Sequence, residues 1–170
     1  MAIPEAAFEI FLHPGEFWFG DSETRIRTLL GSCVSITVWH PWARIGGMCH
    51  YMLPRRARRG ECATLDGRYA DEAVELFLHE IYSAGTVPGD YQVKMFGGGR
   101  QFTGGATAAI DVPERNLQVG LDLLARHGLS PMAMHLGGSG HRQVVLDVWS
   151  GDVWVNHVDR TAPEVASWAR

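Results

Sequence analysis

Leu29-Leu30-Gly31-Ser32-Cys33-Val34-Ser35-Ile36-Thr37-Val38 reads as a glycine–serine turn, then a cysteine, then an alternating strand. Residues 34, 36 and 38 are apolar, whereas 35 and 37 are Ser and Thr. That period of two marks a half-buried strand. His40-Pro41 breaks it. Arg44 to Leu53, RIGGMCHYML, reads as a second strand that ends at Pro54. The two form a hairpin around HPWA, and such a hairpin can bring distant positions together.

Outward from the hairpin, Arg25 to Leu30 alternates in part and leads into Gly31. Arg55 to Gly67 is polar and basic and reads as a surface loop. Val74, Phe77, Leu78 and Ile81 then fall at i, i+3, i+4 and i+7, which predicts a helix stopped by Gly85. Tyr91 to Phe96 is a strand running into Gly97-Gly98-Gly99. Asp111, Pro113 and Glu114 predict a second helix start, Leu117, Leu121 and Leu124 its apolar face, and Gly128 its stop. Pro131 to Leu136 is another strand. Arg142 to Trp149 and Val153 to Val158 flank Ser150-Gly151-Asp152, a hairpin signal. Thr161-Ala162-Pro163-Glu164 predicts a short last helix. Strands in hairpins with two main helices between them predict an α+β domain, helices packed on mostly antiparallel sheet.

The chain has 170 residues, the size of a single domain spanning 1–170, with no internal repeat. At 46% hydrophobic and 20% charged it can bury a full core. A formal net charge of -4 argues against a nucleic-acid binder. Glu5 and Glu9 near the start do not read as a secretory leader, and no apolar run is long enough to span a bilayer. Three cysteines without a C-x-x-C fit reduced thiols. The expectation is a soluble cytoplasmic protein, not embedded in a membrane.

Cys33 and His50, seventeen positions apart, carry the candidate chemistry. An imidazole beside a thiol can take its proton and later return it to a leaving group. Gly31 would let the chain turn tightly and Ser32 supply a small neighbour, with Cys33 at the head of a strand that fixes its sulfur. The plain alternative makes Cys33 a small core residue and His50 a satisfied polar group. Cys33, Cys49, His50 and Cys62 could be imagined as zinc ligands, but their spacing lacks a knuckle, so no metal is expected. If Cys33 and His50 share a face, Cys49 points away from His50. Gly97-Gly98-Gly99-Arg100 lacks the Lys and Ser/Thr of a phosphate loop, and it and Gly137-Gly138-Ser139-Gly140-His141 read as tight turns that could border a cleft. His135 and His141 could bind a metal, though a hydrogen-bonded role is commoner. The run Arg55-Arg56-Ala57-Arg58-Arg59 is either a solvated loop or a handle for an acidic protein partner.

TLLGSC at 28–33, the V-x-I-x-V strand and GGMCHYMLP at 46–54 resemble the chemoreceptor glutamine deamidases, the CheD family. HPGEFWFG at 13–20, RYADEAVELFL at 68–78, KMFGGG at 94–99, ERNLQ at 114–118 and LGGSGHRQVVLDVWSGDVWV at 136–155 follow in family order. The resemblance implies hydrolysis of selected glutamine side-chain amides in the cytoplasmic helices of methyl-accepting chemoreceptors, giving glutamate and ammonia. For some members it extends to glutamyl methyl esters. It implies Cys33 as nucleophile and His50 as its base and acid, with no cofactor. The family's threonine before the cysteine matches Thr28, or the aligned position is Arg27 if the offset differs by one. It also implies a layered α/β/β fold and partnership with a CheC-type phosphatase. Two departures stand out: His40 where an acidic residue is expected before the proline, and Cys49 where another small or polar residue is common. Two other readings remain: a non-catalytic domain that binds receptors or a phosphatase, and another thiol hydrolase such as a peptidase.

Overall fold

A computed structural model describes residues 2–57, 60, 64–100, 112–159 and 168–169. The chain runs β1 (Phe8–Leu12), β2 (Phe17–Gly20), β3 (Thr24–Leu30), β4 (Val34–His40), β5 (Ile45–Cys49), α1 (Ala70–Ser83), β6 (Gln92–Gly97), α2 (Val112–Arg126), β7 (Pro131–Leu136), β8 (His141–Asp147), β9 (Asp152–Val158) and β10 (Trp168–Ala169). The strands make two sheets of five, ordered β1-β3-β8-β9-β10 and β2-β5-β4-β6-β7. All neighbours are antiparallel except β1 with β3 and β6 with β7.

The layers follow from which face each strand buries. Val34, Ile36 and Val38 of β4, with Val93 and Met95 of β6, pack against Ala73, Val74, Phe77 and Ile81 of α1 and Leu117 and Leu124 of α2. On the other side, Ile26 and Leu30 of β3, Val144 and Leu146 of β8 and Val153 and Val155 of β9 meet Met48 of β5 and Phe96 of β6. The order is therefore helices, inner sheet, outer sheet, an α/β/β arrangement of the α+β class. Burying a side chain such as Phe77 fully contributes about 1.5–3 kcal/mol.

Two readings change against this architecture, and two strands are added to it. First, β4 is not half-buried: Ser35 and Thr37 are as enclosed as the valines, because the outer sheet covers the face that an isolated hairpin would leave wet. Second, β5 ends at Cys49 instead of running to Leu53. His50 gives its backbone N–H to the carbonyl of Glu16 and accepts from Gly15 N–H, so its backbone pairs beyond the start of β2. Tyr51 then returns to Val34 through a two-way bond, and Met52 and Leu53 donate to Arg68. The added strands, β1 and β2, flank the His13-Pro14-Gly15 turn without a clean period of two, and Phe8, Phe11 and Trp18 stay exposed.

Other expectations hold. β4 and β5 pair around the turn at residues 41–44, and β8 pairs with β9. His40 closes the turn: its Nδ1 accepts the N–H groups of Trp42 (3.3 Å) and Ala43 (3.1 Å), the work that a turn-capping carboxylate would do. Both helices stop at glycines with positive φ, Gly85 and Gly128, in the expected capping pattern. α2 approaches the chain just beyond His50, because Gly120 has no Cβ to strike the Tyr51 ring. Tyr51 Oη donates to the Asn116 carbonyl and Asn116 Nδ2 to the Met52 carbonyl. The Asp111 helix start and the Thr161–Glu164 helix lie outside the described residues. No described helix is long and apolar enough to cross a membrane.

Candidate active site

Strand alternation in β3 turns Thr24, Ile26, Thr28 and Leu30 inward and leaves Arg25, Arg27 and Leu29 on the outer face. Thr28 is wholly buried, and its Oγ1 lies 2.7 Å from His50 Nδ1. Its hydroxyl also donates to the Leu12 carbonyl at 2.8 Å, across the parallel β1–β3 pair. A hydroxyl has one hydrogen and a carbonyl can only accept. With that hydrogen on Leu12, Thr28 must accept the Nδ1–H of His50. The tautomer follows: Nε2 carries the lone pair. Arg27, the alternative at this offset, pairs instead with Glu9 and lies over the Phe11 ring.

His50 is 1% exposed, and its Nε2 has no hydrogen-bond partner among the described residues. Burial pushes its pKa down from 6.5 to about 4, while the Leu12 carbonyl and the Glu16 charge pull weakly upward. The ring is therefore neutral at pH 7 and holds one unused basic nitrogen.

Cys33 sits half-buried beside the inter-sheet core. The Val34–Tyr51 bridge sets its relation to His50. In that antiparallel register residue 33 opposes 52 and 35 opposes 50, so Cys33 and His50 are diagonal neighbours on one face. Burial raises the Cys33 pKa above 9.0, with a hydrogen bond from Ser32 opposing it. The resting pair is thus a neutral thiol and a neutral imidazole, not an ion pair. Cys49 is wholly buried on the helix side, where its thiol is pushed up to about 12. Cys62 lies outside the described residues.

The turn of Gly31, Ser32 and Cys33 is clamped from behind. Gly98 N–H donates to the Cys33 carbonyl (2.9 Å) and Gly99 N–H to the Gly31 carbonyl (3.1 Å). Gly97 has φ of 114°, and a Cβ there would run into the Cys33 carbonyl. The left-handed glycines are therefore Gly97 and Gly98, and Gly31 is not among them. The turn is tight because a second glycine ribbon holds it. Those ribbon amides are spent on the turn and do not cradle phosphate. Among the described residues, nothing accepts a hydrogen bond from the backbone N–H of Ser32 or Cys33.

A family model described as "CheD chemotactic sensory transduction" matches residues 52–157. The chain belongs to the CheD family. It is 56% identical over 154 residues to the "Probable chemoreceptor glutamine deamidase CheD 3" of Dechloromonas aromatica, covering 91% of this chain and 90% of that one. It is 49% identical over 166 residues to the "Probable chemoreceptor glutamine deamidase CheD" of Pseudomonas savastanoi pv. phaseolicola, covering 96% and 93%. A Leptospira interrogans relative, "Probable chemoreceptor glutamine deamidase CheD 1", is 34% identical over 165 residues, covering 93% and 98%.

Two site features escape a reading of the CheD motifs alone. One is the Leu12 carbonyl, which no side-chain pattern announces. The other is Arg142, which lies behind the glycine ribbons. Its signal was available: in β8 residues 142, 144 and 146 share the inward face, so an arginine stands where the alternation calls for a hydrophobe. The basic loop also divides. Arg56 bonds the buried Glu72 carboxylate at 2.8 Å and lies over Tyr69, Arg55 is exposed, and Arg58 and Arg59 lie outside the described residues. His135 is engaged by Arg142, which donates to its Nδ1, while His141 is exposed.

Proposed function

We propose that this chain hydrolyses glutamine side-chain amides to glutamate in the cytoplasmic helices of chemoreceptors, through a thioester on Cys33. The observation that carries the reading is the buried, neutral His50, whose Nδ1 is fixed by Thr28 while Nε2 has no partner among the described residues. As the Cys33 sulfur attacks the carboxamide carbon, Nε2 takes the thiol proton, so charge develops only during the reaction. The backbone N–H groups of the Gly31-Ser32-Cys33 turn are the donors at hand for the oxyanion. The imidazolium then gives its proton to departing ammonia, leaving the thioester. Nε2 next activates water, which releases glutamate and restores the thiol. Thr28 holds the ring as a neutral partner throughout.

The same chemistry accepts a glutamyl methyl ester, with methanol leaving instead of ammonia. The reading also includes a CheC-type phosphatase as a protein partner and a role in chemotactic adaptation. The test is mass spectrometry of a chemoreceptor cytoplasmic fragment after incubation with the native protein or with Cys33→Ala. Conversion of specific glutamines by the native protein alone is the expected result. A fragment bound by both proteins and changed by neither would overturn the reading in favour of a non-catalytic binder. Cleavage of the fragment's backbone would point to a peptidase.

A further inference from the structure

Arg142 is 1% exposed and is the bulkiest side chain among the described residues to be so enclosed. Its Nε donates to His135 Nδ1 at 2.7 Å and its Nη2 to the Gly137 carbonyl at 2.5 Å. Its Nη1 has no hydrogen-bond partner among the described residues. Asp159 attracts it at longer range, and burial lowers its pKa. A buried guanidinium with an unmet N–H opposes folding. Its presence calls for something that a hydrophobe at the same inward position would not supply.

What it holds leads to Cys33 in two steps. Arg142 fixes the end of β7 and the start of the Gly137–Gly140 loop. That loop is bonded to the ribbon from Gly97 to Arg100, through Gly137 N–H to the Gly97 carbonyl (2.9 Å) and Arg100 N–H to the Gly138 carbonyl (2.8 Å). The ribbon then clamps the carbonyls of Gly31 and Cys33. Nη1 lies 3.1 Å from where a Cβ on Gly99 would stand, so the guanidinium backs directly onto the ribbon. Arg142 also pairs by backbone register with Leu30, the residue before Gly31. One residue therefore meets the nucleophile's turn from the strand side and from the loop side.

We propose that Arg142 is a positioning residue that sets the Gly31-Ser32-Cys33 turn through the two glycine ribbons. The proposal deepens the thiol mechanism given above and rests on it for its kinetic consequence. A planar fork is required, because two acceptors two residues apart at the end of β7, the His135 ring nitrogen and the Gly137 carbonyl, must be met at once. A lysine ammonium on a flexible stem does not reproduce that. Misplacing a reacting group by about 1 Å costs roughly 100-fold in rate.

The test compares native protein with Arg142→Met, which keeps bulk without charge, and Arg142→Lys. Readouts are kcat and KM on a chemoreceptor fragment and backbone amide exchange followed by NMR. The expected result is kcat lower by about 100-fold with KM changed less than about threefold. Exchange at Gly98 and Gly99 should quicken at least about tenfold, with Val153 and Val155 of β9 unchanged. Arg142→Lys should recover little of either. Exchange that is unchanged at the ribbon, or quickened equally through both sheets, would overturn the proposal. So would a normal kcat in a folded variant. Should Arg142→Met fail to fold, Arg142→Lys carries the same comparison. Exchange needs no turnover, so a local loosening in a native protein that deamidates nothing would leave Arg142 as a positioning residue and sink only the deamidase reading.

Discussion

The Thr28 hydroxyl and the His50 Nδ1, 2.7 Å apart, join the outer sheet to the inner one at the point where chemistry is proposed. Because Thr28 gives its own hydrogen to Leu12, the pair also fixes which imidazole nitrogen is basic. Thr28→Val keeps the shape and removes both bonds. It should lower kcat by roughly 10–100-fold with little change in KM, the range seen when a supporting partner of a functional histidine is lost. Thr28→Ser should restore most of the rate. Steady-state kinetics on a receptor fragment decide it, and an undiminished kcat in Thr28→Val would remove the threonine from the mechanism.

The pH dependence of the chemistry should be displaced at both ends. His50 must be neutral to accept a proton, and its pKa lies at about 4, so kcat/KM should stay level down to pH 5 and fall only as pH approaches 4. Cys33 is held above 9.0, so alkylation by iodoacetamide should rise with pH through and beyond 9, with no shoulder near neutrality. A plateau of alkylation at pH 6–7 would instead reveal a preformed thiolate–imidazolium pair and contradict the neutral resting state.

How far the sequence reaches is visible in these same residues. The alternation of β4, the hairpin to β5 and both helix stops were legible because each depends on neighbours a few positions away. The half-wet reading of β4 failed because its second cover is β3, β8 and β9, which no local period reveals. His50 leaves its strand because its backbone partners, Gly15 and Glu16, lie more than thirty residues upstream. Thr28 enters through the family resemblance, and strand parity, which turns it inward to His50 and Arg27 outward, agrees with taking it over Arg27. Arg142 was overlooked although its inward register sets it apart.

Stability should also depend on pH through His50. Its pKa is near 6.5 in the unfolded chain and about 4 in the fold, so the unfolded state binds the proton first as pH falls. Stability is therefore full above about pH 6.5, is lost progressively below it, and this loss is complete once pH passes 4. Between pH 7 and pH 4.5 the contribution is about 2–3 kcal/mol. Denaturant melts at the two pH values should differ by that much more in native protein than in His50→Gln. Equal differences would show that His50 is not the group responsible.

The basic loop makes a prediction that separates structure from binding. Arg56 lies at 2.8 Å from Glu72, which is 2% exposed and also accepts the Asp66 backbone N–H. Arg56→Ala leaves that carboxylate with the Asp66 N–H but without its cation, and breaking such a pair from one side should cost about 2–3 kcal/mol, below the range for a fully buried pair because Arg56 is partly exposed. For a chain of this size the melting temperature should drop by roughly 5–10 °C. Arg55→Ala, an exposed neighbour, should leave it within about 2 °C. If the segment served only as a solvated handle, both substitutions would be thermally silent and only salt-dependent partner binding would change.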